Sequence, residues 1–315
     1  MRFAGLQPSH NLQIFRYQDI DHFRHGLRGA SVDIVPLANV DVPLGQAVLS
    51  LPGCHLYLLQ TFPRIVHSMF EFNCTFVAFS MKDNPAIIFN GKEVKSPLRY
   101  ARGPIEYRIV EKESGYFAVL VFSFPMQNRG WPETGGEFLS IQISRSIELR
   151  LRELIIRVFR ISSQNPVLTL IPGWGAALLD PLLEALDSVF DGYLSDKSPG
   201  KKSIRNGLRV LRSVDDLIDS STFDSMHSGD LASRLGVSVR TLSSLVVKTN
   251  GMSLQRYIRL RRLQTVRRQL LTGDPDLQIK EIALANGFWH LGDFAARYSS
   301  QFGELPSSTR ARARR

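Results

Sequence analysis

Long apolar runs are missing from this 315-residue chain. The longest candidate, 116-YFAVLVFSFP-125, falls short of the ~18 apolar residues that a membrane helix needs. The N-terminal MRFAGLQPSHNLQIF has neither the apolar core nor the small-residue cleavage site of a secretion signal. Cysteine is scarce. Cys54 and Cys74 have no metal-binding spacing, and without a secretion signal they are expected to be free, buried thiols. A cytoplasmic protein with no membrane partner is expected. Catalytic signatures are absent too: there is no nucleophile elbow and no glycine-rich phosphate loop. His10, His22, His25, His55 and His67 never fall at alternating strand spacing. His67 and Glu71 would share a strand face, but no third ligand follows. The expectation is no catalytic residue, no metal and no cofactor, hence no enzyme.

Acidic residues are short in one place only. From residue 200 onward there are 20 Lys and Arg against 10 Asp and Glu, whereas the preceding part holds 19 of each. The whole formal charge of +10 therefore lies in the last third. A basic domain joined to a neutral one is the electrostatic footprint of a nucleic-acid binder with a separate sensor or partner domain.

Between residue 31 and about 143 the chain reads as short strands: 32–37, 54–62, 74–80, 86–90, 105–110, 116–124 and 138–143. Turn residues separate them, among them Pro52-Gly53, Asn84-Pro85 and Gly103-Pro104. Asn90-Gly91 is a good hairpin turn. This pattern predicts a β-barrel or double-sheet jelly roll. The period then becomes about 3.6. The segment 146–161 puts Ile147, Leu151, Leu154, Ile155 and Val158 on one face, and a second helix follows at about 174–194, its first turns weakened by Pro181. These two helices either cover the barrel or form a dimer seam. The polar stretch 195-SDKSPGKKS-203 reads as a linker.

Beyond it, 228-SGDLASRLGVSVRTLSSLVVKTNG-251 has the pattern of a helix-turn-helix. Ser228 is placed to cap the first helix and Ser238 the second. Leu231, Ala232, Leu235, Leu242 and Leu245 face inward. Arg240, Ser243, Ser244 and Lys248 remain to reach a groove. A second copy occupies 278–303. Ile282 and Ala283 match the first copy, Asn286-Gly287-Phe288 makes the turn, and His290, Leu291, Asp293 and Arg297 lie along the reading helix. The connector 253–271 would be ~28 Å long, close to the ~34 Å between successive major-groove faces of B-DNA. It offers Arg256, Arg259, Arg261, Arg262, Arg267 and Arg268, the first four being the candidate phosphate contacts.

The ordered set 231-LASRLGVS-238, 240-RTL-242, 251-GMS-253, 257-YIRLRRL-263, Ile282-Ala283, Gly287-Phe288, Phe294 and 302-FGELPS-307 resembles the AraC/XylS family of transcription regulators. The resemblance implies an α+β protein. Residues 1–145 would be a cupin-like β-barrel or jelly roll that binds an effector, and 146–195 helices with a possible dimerising role. A linker at 196–204 would lead to an all-α double helix-turn-helix domain at 205–315. It also implies double-stranded promoter DNA and RNA polymerase as partners, gene activation, and a homodimer. Two departures stand out. Ser243 and Ser244 are small, and Asp293 is acidic, where the family often carries bulkier polar or basic side chains. Weak reading by one monomer favours a dimer.

One motif remains. Arg24 and Arg28, in 21-DHFRHGLRGASVDIVPL-37, stand beside Gly26 and Gly29 just before the first predicted strand. The pair resembles the arginine motif of PilZ-type domains, which binds cyclic di-GMP ahead of a β-barrel. The second PilZ element is absent, its nearest analogue being 39-NVDVPLG-45. Guanidinium groups suit phosphates and flat rings. Cyclic di-GMP on Arg24 and Arg28 is therefore one expectation, a different small molecule inside the barrel a second, and a purely dimerising first domain a third.

Overall fold

The computed structural model describes residues 5–17, 30–39, 44–82, 87–95, 98–123, 126, 129–193, 201–220, 227–274 and 276–313. Arg24, Arg28, His22, His25 and the 196–200 part of the expected linker lie outside them.

Among the described residues, ten antiparallel strands form one curled sheet: β1 (Leu12–Tyr17), β2 (Ala30–Pro36), β3 (Leu44–Leu51), β4 (Cys54–Thr61), β5 (Arg64–Ser80), β6 (Ile87–Phe89), β7 (Lys92–Val94), β8 (Leu98–Glu111), β9 (Gly115–Phe122) and β10 (Leu139–Ile141). Their order is β1-β3-β4-β9-β5-β8-β6-β7, with β10 on β8 and β2 on β5. The long β5 makes the curl. It pairs with β8 along its length, but on its other edge it pairs first with β2 and then with β9, and its register with β8 breaks between Phe70 and Cys74. Such a break bends a strand and increases its twist. The Asn90-Gly91 turn joins β6 to β7 as the sequence predicts, both residues having positive φ (47° and 78°).

Two helices cover one face of the sheet. In α1 (Arg145–Gln164), capped by Ser144, Leu151, Ile155, Val158 and Phe159 point inward. In α2 (Trp174–Asp191), which continues through Pro181, eight apolar or small residues from Leu178 to Phe190 are buried. They share a core with Leu49, Leu56, Leu58, Val77, Phe79 and Leu120 of the strands. The apolar faces of both helices are thus spent on the sheet. The other face of the sheet closes on itself around Ile34, Leu59, Phe76, Tyr107 and Val119. Cys54 and Cys74 are free and buried, and burial raises both thiol pKa values, that of Cys74 to about 11, which leaves them inert at neutral pH.

Seven helices follow among the described residues: α3 (Lys201–Ser220), α4 (Ser228–Arg234), α5 (Val239–Asn250), α6 (Leu254–Thr272), α7 (Ile279–Ala285), α8 (Leu291–Phe302) and α9 (Pro306–Ala313). Because α3 begins at Lys201, the last four residues of the stretch expected to be linker are helical. One core joins Leu211 and Val214 of α3, Leu231, Leu242 and Tyr257 to Val35, Ile65 and Val110 of the sheet. The second unit has its own core around Val266, Ile282, Phe294 and Tyr298. No helix among the described residues is long and apolar enough to cross a membrane.

Candidate nucleic-acid interface and barrel pocket

The two helix-turn-helix units are built alike. The first scaffold helix, α4, is capped by His227 rather than by Ser228, which becomes its first helical residue. Asp230 accepts from the His227 backbone N–H at 2.8 Å, which supplies the acceptor that the cap position needs. In the second unit Glu281 accepts from the Gln278 N–H at 2.7 Å in the same way. Gly236 and Gly287 make the turns with left-handed backbones (φ 64° and 77°), where a Cβ would be strained. The reading helix α5 starts from Ser238, whose hydroxyl accepts from the Thr241 N–H at 3.0 Å.

The N-terminal ends of both reading helices are open. Arg240, Ser244 and Lys248 on α5 are exposed, while Ser243 is half-buried. At the second unit His290, Leu291, Asp293 and Arg297 are exposed, but Asp293 accepts a hydrogen bond from Arg297 one turn on, so the two charges offset each other. Hydrogen bonding to Arg297 lowers the Asp293 pKa, which keeps it anionic. The exposed Trp289 (56%) stands next to His290. An indole directly after a turn and before a reading helix is a signal that the sequence itself carries.

The arginines of α6 divide into two groups. Arg256 and Arg259 are exposed and suited to phosphate. Arg262 is half-buried and lies over the turn, where a Cβ on Gly287 would stand 2.8 Å from its Nη1. Arg261 must be corrected: it is buried and faces the sheet, not the solvent. It bonds to Asp33 of β2 and, at 2.9 Å, to Asp219 of α3. Burial opposes its charge, yet Asp215, Tyr257, Asp33 and Asp219 together raise its pKa well above the ordinary value. Arg267 is likewise buried, paired with Glu304 at 2.8 Å.

Arg108 of β8 completes this latch between sheet and helices. Its Nε donates to Asn250 Oδ1 at 2.8 Å, its Nη1 to Asp215 Oδ2 at 3.0 Å, and its Nη2 to the Tyr257 hydroxyl. Asn250 is the last residue of α5. On α8, Gln301 donates to the Pro36 carbonyl at 2.8 Å. Both reading helices are therefore held at their C-terminal ends by the first domain. Nothing in a one-dimensional pattern distinguishes Arg108, Asp33 or Asp215 from surface charges.

The opposite side of the same strands lines a cavity of about 60 Å³ inside the curled sheet. Val32, Ile34, Tyr107, Ile109 and Glu111 face it, together with Phe89, Phe138 and Arg99. Rings crowd one wall: Phe138 meets Phe76, Phe89 and Tyr107 edge-on at 5.4, 5.0 and 5.2 Å between centroids. Among the described residues no group of three or more His, Cys, Asp or Glu could hold a metal.

Residues 231–312 match the family of the helix-turn-helix domain. XylDLEGF operon transcriptional activator 2 of Pseudomonas putida is 36% identical over 110 residues, which cover 35% of this chain and 70% of that protein. XylDLEGF operon transcriptional activator 3 of the same organism is 35% identical over 112 residues, and the match spans 33% of its length. The crystal structure of a probable AraC family transcriptional regulator from Rhodopseudomonas palustris is 30% identical (TM-score 0.29), with 33% of this chain covering 97% of that one. All three relatives align with about a third of this chain, and the resemblance seen in the sequence lies in its C-terminal part. The chain belongs to the AraC/XylS family of transcription regulators.

Proposed function

We propose that this chain is a transcription activator whose hold on promoter DNA is set by a small molecule inside its β-barrel. The family consists of transcription regulators and not enzymes. That it activates rests on the names of its relatives. Cytoplasmic location, recruitment of RNA polymerase and a homodimer belong to the same proposal.

One observation carries the regulated part. Strands β2 and β8 present alternate residues to the pocket and to the DNA-binding helices. Val32, Ile34, Tyr107, Ile109 and Glu111 line the cavity. Asp33, Glu106 and Arg108 reach the helices through Arg261, Arg212 and Asp215, and Val35 and Val110 join their core. Successive side chains of a strand point to opposite faces, so the wall between ligand and helix is one strand thick. A shift of either strand is felt on both sides. This favours a small molecule in the barrel over a first domain that only dimerises.

Cyclic di-GMP is the finer alternative, and its support is the Arg24–Arg28 spacing alone. Two phosphates and two guanines fit poorly in a small apolar cavity, so such a ligand would have to sit at the mouth.

Selection of binding sites from random duplex DNA by the purified chain tests the core of this reading. It should enrich two short elements about one helical turn (~10 bp) apart. Enrichment of a single element would mean that only one unit reads sequence, and no enrichment would refute sequence-specific binding.

A further inference from the structure

The two reading helices offer unlike chemistry. On α5 the exposed Arg240, Ser244 and Lys248 are cationic and polar. The second unit instead presents an unbroken exposed run from Trp289 to Asp293. Two of its side chains are large and apolar: Trp289 and Leu291 are 56% and 39% exposed. Apolar groups of this size held side by side in water point to a contact surface. Gly292 stands between Leu291 and Asp293. Glycine is a poor helix former. Its backbone here is helical and a Cβ would meet nothing within 4 Å, so nothing inside the chain calls for it. A glycine so placed lets an outside partner come close. Asp293 is the one carboxylate in the sequences of the two reading helices. DNA phosphates would repel it if it stood alone. Arg297 donates to it at 2.5 Å, and Arg259 of α6 adds to the positive field around it. Arg297 thus positions the carboxylate and offsets its charge.

We propose that the second unit reads pyrimidines: Asp293 accepts a hydrogen bond from the N4 amino group of a cytosine, and Leu291 and Trp289 pack on thymine methyl groups of the same element. This rests on reading residues 278–303 as a DNA-reading unit and adds the bases that it selects. In the major groove guanine presents two acceptors, thymine an acceptor and a methyl group, and adenine an acceptor beside its amino group. Cytosine presents an amino donor and no acceptor. An ionised carboxylate has only acceptors to offer. Cytosine is therefore the base that it meets without repulsion, whereas the second oxygen would face N7 of an adenine. Thymine is the base that gives an apolar side chain a methyl group to cover. Arg240 of the first unit has the opposite preference, because a guanidinium forks onto O6 and N7 of guanine.

The test is selection of sites from random duplex DNA by the full chain, with wild type, Asp293→Asn and Arg240→Ala side by side. One position that is cytosine for wild type should become adenine for Asp293→Asn, because a carboxamide forks onto adenine N6 and N7. Arg240→Ala should keep that cytosine and loosen a position in the other element. Changing the cytosine in the selected operator should lower wild-type affinity roughly fivefold or more. Replacing the thymines of that element by uracil removes only their methyl groups. It should weaken wild type several-fold and Leu291→Ala much less. Asp293 and Leu291 are exposed, so these variants keep the fold. If the position stays cytosine with Asp293→Asn, or loses its preference without turning to adenine, the cytosine contact falls. If uracil binds as well as thymine, or weakens Leu291→Ala as much as wild type, the methyl contact falls. Two elements enriched by wild type would in either case leave the double helix-turn-helix reading standing. No enrichment by wild type would overturn that reading and the base assignments together.

Discussion

Arg240 and Arg261 show what residue type alone can and cannot say. Both are arginines of the basic third, and the sequence pattern assigns both to DNA. Arg240 is exposed two residues after the Ser238 cap, in the first turn of the reading helix α5. Arg240→Ala should cost about 1–3 kcal/mol of specific affinity if the guanidinium forks a base; equal binding of mutant and wild type to a selected operator would remove it from the reading set. Arg256 and Arg261 separate phosphate contact from internal pairing. Arg256→Ala should reduce the dependence of log affinity on log salt by about one unit of slope. Arg261→Ala should leave that slope unchanged but destabilise the fold by about 3–5 kcal/mol, because it strands carboxylates that are packed against it. Denaturant titration and binding at several salt concentrations check the pair. The burial of Arg261 was not legible in the sequence. On a helix with apolar residues at Leu260, Leu263 and Leu270, nothing marks which arginine turns inward until Asp33, 228 residues away, is brought beside it.

At the scale of elements, the helical half was far more legible than the sheet. The two turn glycines, the Ser238 cap and the 19-residue connector helix all carry local signals. Strand β3 was missed because almost every residue of it is buried, so it shows no polar–apolar alternation. The long β5 was read only in its second half, since its bulge around residues 71–73 interrupts the period. Yet that strand, with β2 and β8, forms the wall between pocket and helices. Its ion pairs give a pH prediction. A hydrogen bond from His67, helped by Arg212 on α3, lowers the Glu106 pKa. A depressed carboxylate stabilises the fold above its unfolded pKa, near ~4.3, and that stabilisation is lost as pH falls through the lower folded value. Wild type should therefore lose stability on acidification more steeply than Glu106→Gln, as read by thermal unfolding between about pH 3 and 6; parallel curves would show that the contact contributes nothing.

For the whole molecule, the division of charge is legible directly: a neutral first part and a last third carrying all of the +10. What the sequence could not show is how closely the halves engage. Val35, Ile65 and Val110 of the sheet share one core with the first helix-turn-helix unit. The pocket and the DNA-binding helices are therefore opposite sides of the same strands, and a perturbation on one side should be felt on the other. A double-mutant cycle in operator affinity measures this most directly. Ala78→Phe fills the pocket, Asp33→Ala cuts the β2 latch to Arg261, and each variant is first shown to be folded by circular dichroism. Coupling through the wall predicts that Ala78→Phe changes operator affinity several-fold in the wild-type background and by a much smaller factor once Asp33 is replaced. An identical effect of Ala78→Phe in both backgrounds, or none in either, would contradict it.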